Sequence, residues 1–169
     1  DHWMFISSHG ALSAGRRNPD LPLFPYYSSD KLSDNADCTG PKTIIRISDA
    51  SGHHTIWEPF APMPDPRQAI WRNLYKSFLG DELIFEEVNK SIRLAFRYRW
   101  SFGHRFGFVR TCQLTSFCGT PISVSVLDGL QNLMPFGLDQ NFQLRFSNLG
   151  DAYKKNELVD ESGIGLFYL

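Results

Sequence analysis

Three arginines and two glutamates lie close together in the middle of the chain. Arg93, Arg97 and Arg99 belong to the run SIRLAFRYRW that ends at Trp100, and Glu86 and Glu87 belong to the run just before it. Guanidinium groups hold carboxylates and phosphates through paired N–H donors, and paired carboxylates are the machinery of glycoside hydrolysis. Glu86 and Glu87 are sequence neighbours, so on a strand they point to opposite faces and do not make the fixed pair across a cleft that hydrolysis needs. They are poor catalytic candidates. The three arginines share one face of an extended run. One reading is a solvated face with cross-strand ion pairs, each worth a few tenths to about 1 kcal/mol. The other is that one of them, with Arg97 and Arg99 the candidates, reaches a ligand carboxylate, a phosphate or a further domain of the same protein.

Other side chains suit other chemistry. The stretch 18–29, NPDLPLFPYYSS, sets Pro19, Pro22 and Pro25 among Leu21, Leu23, Phe24, Tyr26 and Tyr27. Prolines at that density forbid a helix and deny ladder hydrogen bonds, so the stretch is an ordered, aromatic-rich excursion. It is either a flap over a sheet face or a rim on which pyranose rings stack. Tyr26 and Tyr27, with Trp57, are the stacking candidates. Cys38, Cys112 and Cys118 make neither an even framework nor a CxxC pair, which reads as reduced thiols in a cytosolic protein; Cys112 and Cys118 flank one turn, so a disulfide between them stays open. Histidines 2, 9, 53, 54 and 104 show no metal-ligand spacing. No metal, cofactor or catalytic residue is assigned.

The elements that must position these groups are strands. Ile92, Leu94, Phe96, Tyr98 and Trp100 alternate with Ser91, Arg93, Ala95, Arg97 and Arg99. A period of two puts the two sets on opposite faces of a strand, whereas a helix would scatter them around its circumference. A connection at 101–105 leads to a second β-rich run, 106–115, and Gly119 and Pro121 mark a turn before Ile122, Val124 and Val126 alternate with two serines. The result is an antiparallel meander. Upstream, 3–7 reads as a short strand, 10–15 as a small-residue loop, and 43–58 as a hairpin closed by the turn DASG. The stretch 67–78 fits a helical stripe or a strand; the turn at Gly80-Asp81 into the β run 83–88 favours strand. Downstream, 128–137 reads as loop, 142–149 has no clear period, 151–158 is either a short helix or the start of a strand, and Asp160-Glu161-Ser162-Gly163 turns into a final strand. More than a third of the residues are expected in antiparallel strands and less than about 15% in helix, an all-β class.

Size and charge bound the function. A chain of 169 residues with 42% hydrophobic content can bury a sizeable core and is most simply one domain, 1–169. The formal charge of -1 lacks the basic excess of nucleic-acid binders. No run reaches the roughly 18 apolar residues that span a bilayer. A soluble, cytoplasmic protein with no nucleic-acid or membrane partner is expected. The apolar chain ends, WMFI and GLFYL, read as strands of a larger sheet, which suggests a segment of a longer protein.

The stretches WMFISSHGALSAG, RNPDLPLFPYYSSD, IIRISDASGHHTIWEPF and FRYRWSFGHRFGFVRTCQLTSFCGTPISVSVLDGLQNL resemble the N-terminal β-sandwich of cellobiose phosphorylase-like proteins. The pattern is a strand ending in aromatic and basic residues, a phenylalanine-glycine-aromatic turn leading to an arginine, and then a strand pair. Here it is met by Phe106, Gly107, Phe108 and Arg110, then by Leu114 and residues 122–126. The resemblance implies an antiparallel β-supersandwich like galactose mutarotase, complete or partial, ahead of an (α/α)6 barrel. In such enzymes the barrel carries the acid and the phosphate or water site, while the sandwich shapes the cleft and the subunit contacts. The implied partners are a downstream catalytic domain, carbohydrate and a second copy in a homodimer. No stretch of this chain supplies the barrel's helical hairpins, and no catalytic residue carries over.

The expectation is therefore a non-catalytic β-sandwich segment of a glycoside phosphorylase- or hydrolase-like protein. A self-sufficient carbohydrate-binding module is the second reading. A mutarotase-type epimerase is the third, and it would need a histidine with Glu58 or Asp128 converging on a sugar.

Overall fold

The computed structural model describes residues 2–25, 32, 34, 36–49 and 52–169. In chain order the elements are β1 (His2–Ile6), β2 (Leu12–Arg16), β3 (Gly40–Ser48), β4 (His54–Trp57), β5 (Ile70–Lys76), β6 (Leu83–Asn89), β7 (Leu94–Gly103), β8 (Gly107–Ser116), β9 (Ser123–Gln131), α1 (Gln140–Tyr153), β10 (Lys155–Val159) and β11 (Ile164–Tyr168). Strands hold 49% of the residues, and the antiparallel sheets are open rather than closed. The class is all-β. The chain divides into two compact units, Lys42–Gly129 and Asp1–Pro41 with Leu130–Leu169.

The unit Lys42–Gly129 is built from two sheets, one ordered β4-β3-β9 and one ordered β5-β6-β7-β8. Alternation sets their facing. Leu94, Phe96, Tyr98 and Trp100 are buried while Arg97 and Arg99 are exposed. Phe85 stacks on Tyr98 with ring centroids 4.9 Å apart. Phe60, in a left-handed backbone conformation (φ 65), turns its ring onto Phe85, Phe96 and Tyr98. Ile45 of β3 and Trp57 of β4 are buried, at 0% and 2% exposure, and the Trp57 indole N–H donates to Glu87 of β6 at 2.9 Å. The two sheets therefore pack face to face as a sandwich over an aromatic core.

Glu87 is fully buried in that core and is held there by three donors: Trp57, the backbone N–H of Phe60 at 2.7 Å and the Arg72 guanidinium at 2.8 Å. A buried carboxylate is tolerated only when its lone pairs are met in this way. At the β6–β7 turn Asn89 is buried, and its side-chain oxygen accepts from the N–H groups of Ser91 and Ile92. Arg93 takes a left-handed conformation there (φ 57). The strand therefore starts at Leu94, two residues later than the alternation suggests, and Arg93 belongs to the turn.

In the other unit, β1 pairs with β2 and β10 with β11, each as an antiparallel hairpin. The small residues of 10–15, expected as loop, form β2 because the Trp3 ring lies across Gly15. A β-carbon at Gly15 would stand 2.5 Å from that ring and 2.6 Å from the Leu21 carbonyl. The downstream stretch also differs from expectation. Residues 128–131, expected as loop, continue β9; 142–149, which have no clear period, fall in α1 together with 151–153, and 155–158 open β10, so 151–158 holds both of the readings open to it. Asp139 caps that helix by accepting from the Phe142 N–H at 2.6 Å, and the helix kinks at Phe146. The final hairpin is as expected. Among the described residues no helix is long and apolar enough to cross a membrane.

Candidate functional site

The outward face of β5-β6-β7-β8 carries the candidate site. The strand registers stack its side chains in three rows: Trp71, Val88, Ala95 and Thr115; then Asn73, Glu86, Arg97 and Gln113; then Tyr75, Ile84, Arg99 and Thr111. Neighbours within a row are roughly 5 Å apart and successive rows roughly 7 Å apart, because the side-chain repeat on one face of a strand is two residues.

Glu86 organises the middle row. Its Oε2 accepts from the Arg97 Nε at 2.9 Å and from the Arg97 Nη2. Its Oε1 accepts from the Asn73 amide at 3.0 Å and the Tyr75 hydroxyl at 3.3 Å. Desolvation pushes the Glu86 carboxyl upward, but the Arg97 guanidinium, with Asn73 and Tyr75, outweighs it and holds the group below its ordinary value. Glu86 is thus a fixed anion that orients Arg97, Asn73 and Tyr75.

Beside this row lies a groove of about 460 Å³ lined by Ile84, Arg97, Arg99, Thr111, Cys112 and Gln113. Arg99 meets Glu82 only at 3.5 Å, with both side chains more than a third exposed. On the far side of the sheet face, Trp71 is 60% exposed and Tyr75 47%, with the Lys90 ammonium 3.1 Å from the Trp71 ring centroid. The face combines exposed aromatic rings with fixed donors and acceptors. That is the equipment for holding a polyhydroxylated ring, whose apolar C–H faces pack on aromatics and whose hydroxyls both donate and accept.

Sequence reasoning placed Arg97 and Arg99 on one face, and both line the groove. Trp57 is different: 2% exposed and hydrogen-bonded to Glu87, it is a core residue, so a stacking platform at Trp57 is corrected. Tyr26 and Tyr27 lie outside the described residues. Trp71, Asn73, Tyr75, Thr111 and Gln113 went unassigned as site residues. The signal for the first three was present, since 71, 73 and 75 share a face once β5 is taken as a strand.

A second polar cluster lies around Asp128 of β9. Its carboxylate accepts two bonds from Arg110, at 2.6 and 2.9 Å, one from the Thr43 hydroxyl at 2.6 Å and one from the Cys112 thiol at 3.2 Å. Desolvation raises the Asp128 pKa, and the Arg110, Thr43 and Cys112 hydrogen bonds outweigh it, leaving the group below its ordinary value. Burial, partly offset by Arg110, pushes the Cys112 thiol up to about 11 with Asp128 adding to the rise. A protonated thiol and a saturated carboxylate are structural rather than reactive. Among the described residues the partners of Asp128 are Arg110, Thr43 and Cys112, and Glu58 pairs with Lys42. The three cysteines are free thiols, and Cys118 donates to the Ile92 carbonyl. Among the described residues no group of three or more His, Cys, Asp and Glu side chains is placed to hold a metal ion.

Compared with known proteins, the chain matches no family model and no curated protein.

Proposed function

We propose that the chain is a non-catalytic β-sandwich segment of a carbohydrate-active protein of the glycoside phosphorylase or hydrolase kind, and that the outward face of β5-β6-β7-β8 is its carbohydrate-contacting surface. The observation that carries the reading is this face, on which Trp71 and Tyr75 stand exposed around the Asn73–Glu86–Arg97 hydrogen-bonded row. The resemblance of the sequence to the sandwich of cellobiose phosphorylase-like proteins supports it. The partner it implies is a catalytic domain of the same protein that completes the cleft. A lone face supplies only part of the contacts of such a cleft, so binding by this chain is weak.

Titration of the chain with glucose, cellobiose and longer glucans, followed by amide chemical shifts and beside a polarimetric assay of anomer exchange, tests the reading. The expected result is millimolar binding, shifts confined to β5–β8, loss of binding in Trp71→Ala and no turnover. Accelerated anomer exchange, or sugar-induced shifts elsewhere, would overturn it. Micromolar binding would instead favour a self-sufficient binding module.

A further inference from the structure

We infer that the groove beside Arg99 is a subsite for the oxyanion of an acidic sugar, a carboxylate or phosphate carried on a pyranose. The inference rests on the carbohydrate-contacting reading and adds a ligand class to it. Arg97 and Arg99 stand on the same face of β7, two residues apart, and both line the 460 Å³ groove with Thr111 and Gln113. Their situations differ. Arg97 is anchored through Nε and Nη2 to one oxygen of Glu86, which leaves its Nη1 edge uncommitted among the described residues and fixes the direction in which that edge points. Among the described residues Arg99 meets an acid only through Nη1, at the limiting distance of 3.5 Å, while its side chain is 44% exposed.

Guanidinium forks match planar and tetrahedral oxyanions through parallel N–H donors. No carboxylate is among the groove's own lining residues. An anion entering it therefore meets donors from two arginines, with Thr111 and Gln113 able to donate to it or to adjacent sugar hydroxyls. Ile84 provides the apolar floor for a ring, and Tyr75 lies in the same row one strand away. Glu86 holds Arg97 in place without competing for Arg99. The size suits a monosaccharide unit with its charged group rather than a bare ion.

The test is an amide-shift and calorimetric titration of the whole chain with glucuronate, galacturonate, glucose 6-phosphate, inorganic phosphate and glucose. It is repeated at raised salt and in Arg99→Gln and Arg99→Lys. The inference expects at least one acidic sugar to bind about ten-fold or more tightly than glucose. That preference should fall with salt, disappear in Arg99→Gln and be only partly kept in Arg99→Lys, which retains charge but not the fork. A uronate preferred over glucose 6-phosphate identifies a carboxylate source, and the reverse identifies a phosphate. Equal affinity for glucose and the acids, insensitivity to Arg99→Gln, or inorganic phosphate binding as tightly as the sugar acids each overturns the inference. In the first of these cases neutral sugars still bind the face, so the carbohydrate-contacting reading survives; absence of binding by every sugar removes both.

Discussion

Glu86 and Glu87 are adjacent in the chain and chemically identical, yet they occupy opposite sides of one sheet. Glu87 is sealed in the aromatic core with donors from β4, the 58–61 turn and β5. Glu86 faces outward and is gripped by side chains of its own sheet. The inner carboxylate ties the two sheets together, and removing it strands buried N–H groups. The outer one, itself only 9% exposed, sits among partners that reach solvent, with the Arg97 side chain 46% exposed and Tyr75 47% exposed. Both carboxylates are buried, so it is the face each one occupies and the partners it meets there, rather than residue type, that separate their roles.

Substitutions on the two faces should separate accordingly. Phe96→Ala, deleting a ring that touches Phe60 and Tyr98, should lower unfolding free energy by about 3–5 kcal/mol in denaturant melts. Glu87→Gln should cost about 2 kcal/mol or more, because an amide cannot serve all three donors and the lost bonds are charge-assisted. Arg97→Ala, one residue from Phe96, should cost clearly less than Phe96→Ala, since the Arg97 side chain is 46% exposed and leaves no core cavity, although it removes two donors from the buried Glu86 carboxylate. Equal costs for Phe96→Ala and Arg97→Ala would show that the assigned facing is wrong.

Acid should expose the contribution of Asp128. Its folded pKa is depressed, so the stability it contributes is fully present above the unfolded value near 3.9 and is lost as pH falls through the lower folded value. Asp128→Asn should therefore be less stable at neutral pH and show a flatter decline below about pH 4. The smallest effect is kinetic. Cys38 and Cys112 are both exposed, but because the Cys112 thiol is pushed up to about 11, iodoacetamide near neutral pH should alkylate Cys38 before Cys112, as read by peptide mass mapping.

How far the sequence revealed this arrangement depends on where its signals are local. The alternation of Phe96, Tyr98 and Trp100 against Arg97 and Arg99 announces both faces of β7, and the turn at 49–52 announces the β3–β4 hairpin. β2 was hidden because its small residues have no strand preference of their own; they are strand because Trp3 packs on Gly15. The end of β9 was hidden because Gly129 reads as a turn, whereas Asp128 is fixed by contacts with Thr43 and Arg110, far away in the chain. α1 was hidden by its kink, which interrupts the helical period at Phe146. Within the candidate site, Arg97 and Arg99 were legible, but Trp57 was misread because an aromatic beside a turn gives no sign of which way its ring points.

The ladder of registers from Asn73 to Gln113 has a consequence for how the protein guards against error. Sliding β7 by one residue would drive Arg97 into the aromatic core and expel Phe96 to solvent, so no slipped form can keep a good interior while losing only its surface. Burying the core thereby acts as a parity check on the opposite side of the sheet: a molecule that passes the test of folding has its groove assembled in the same step.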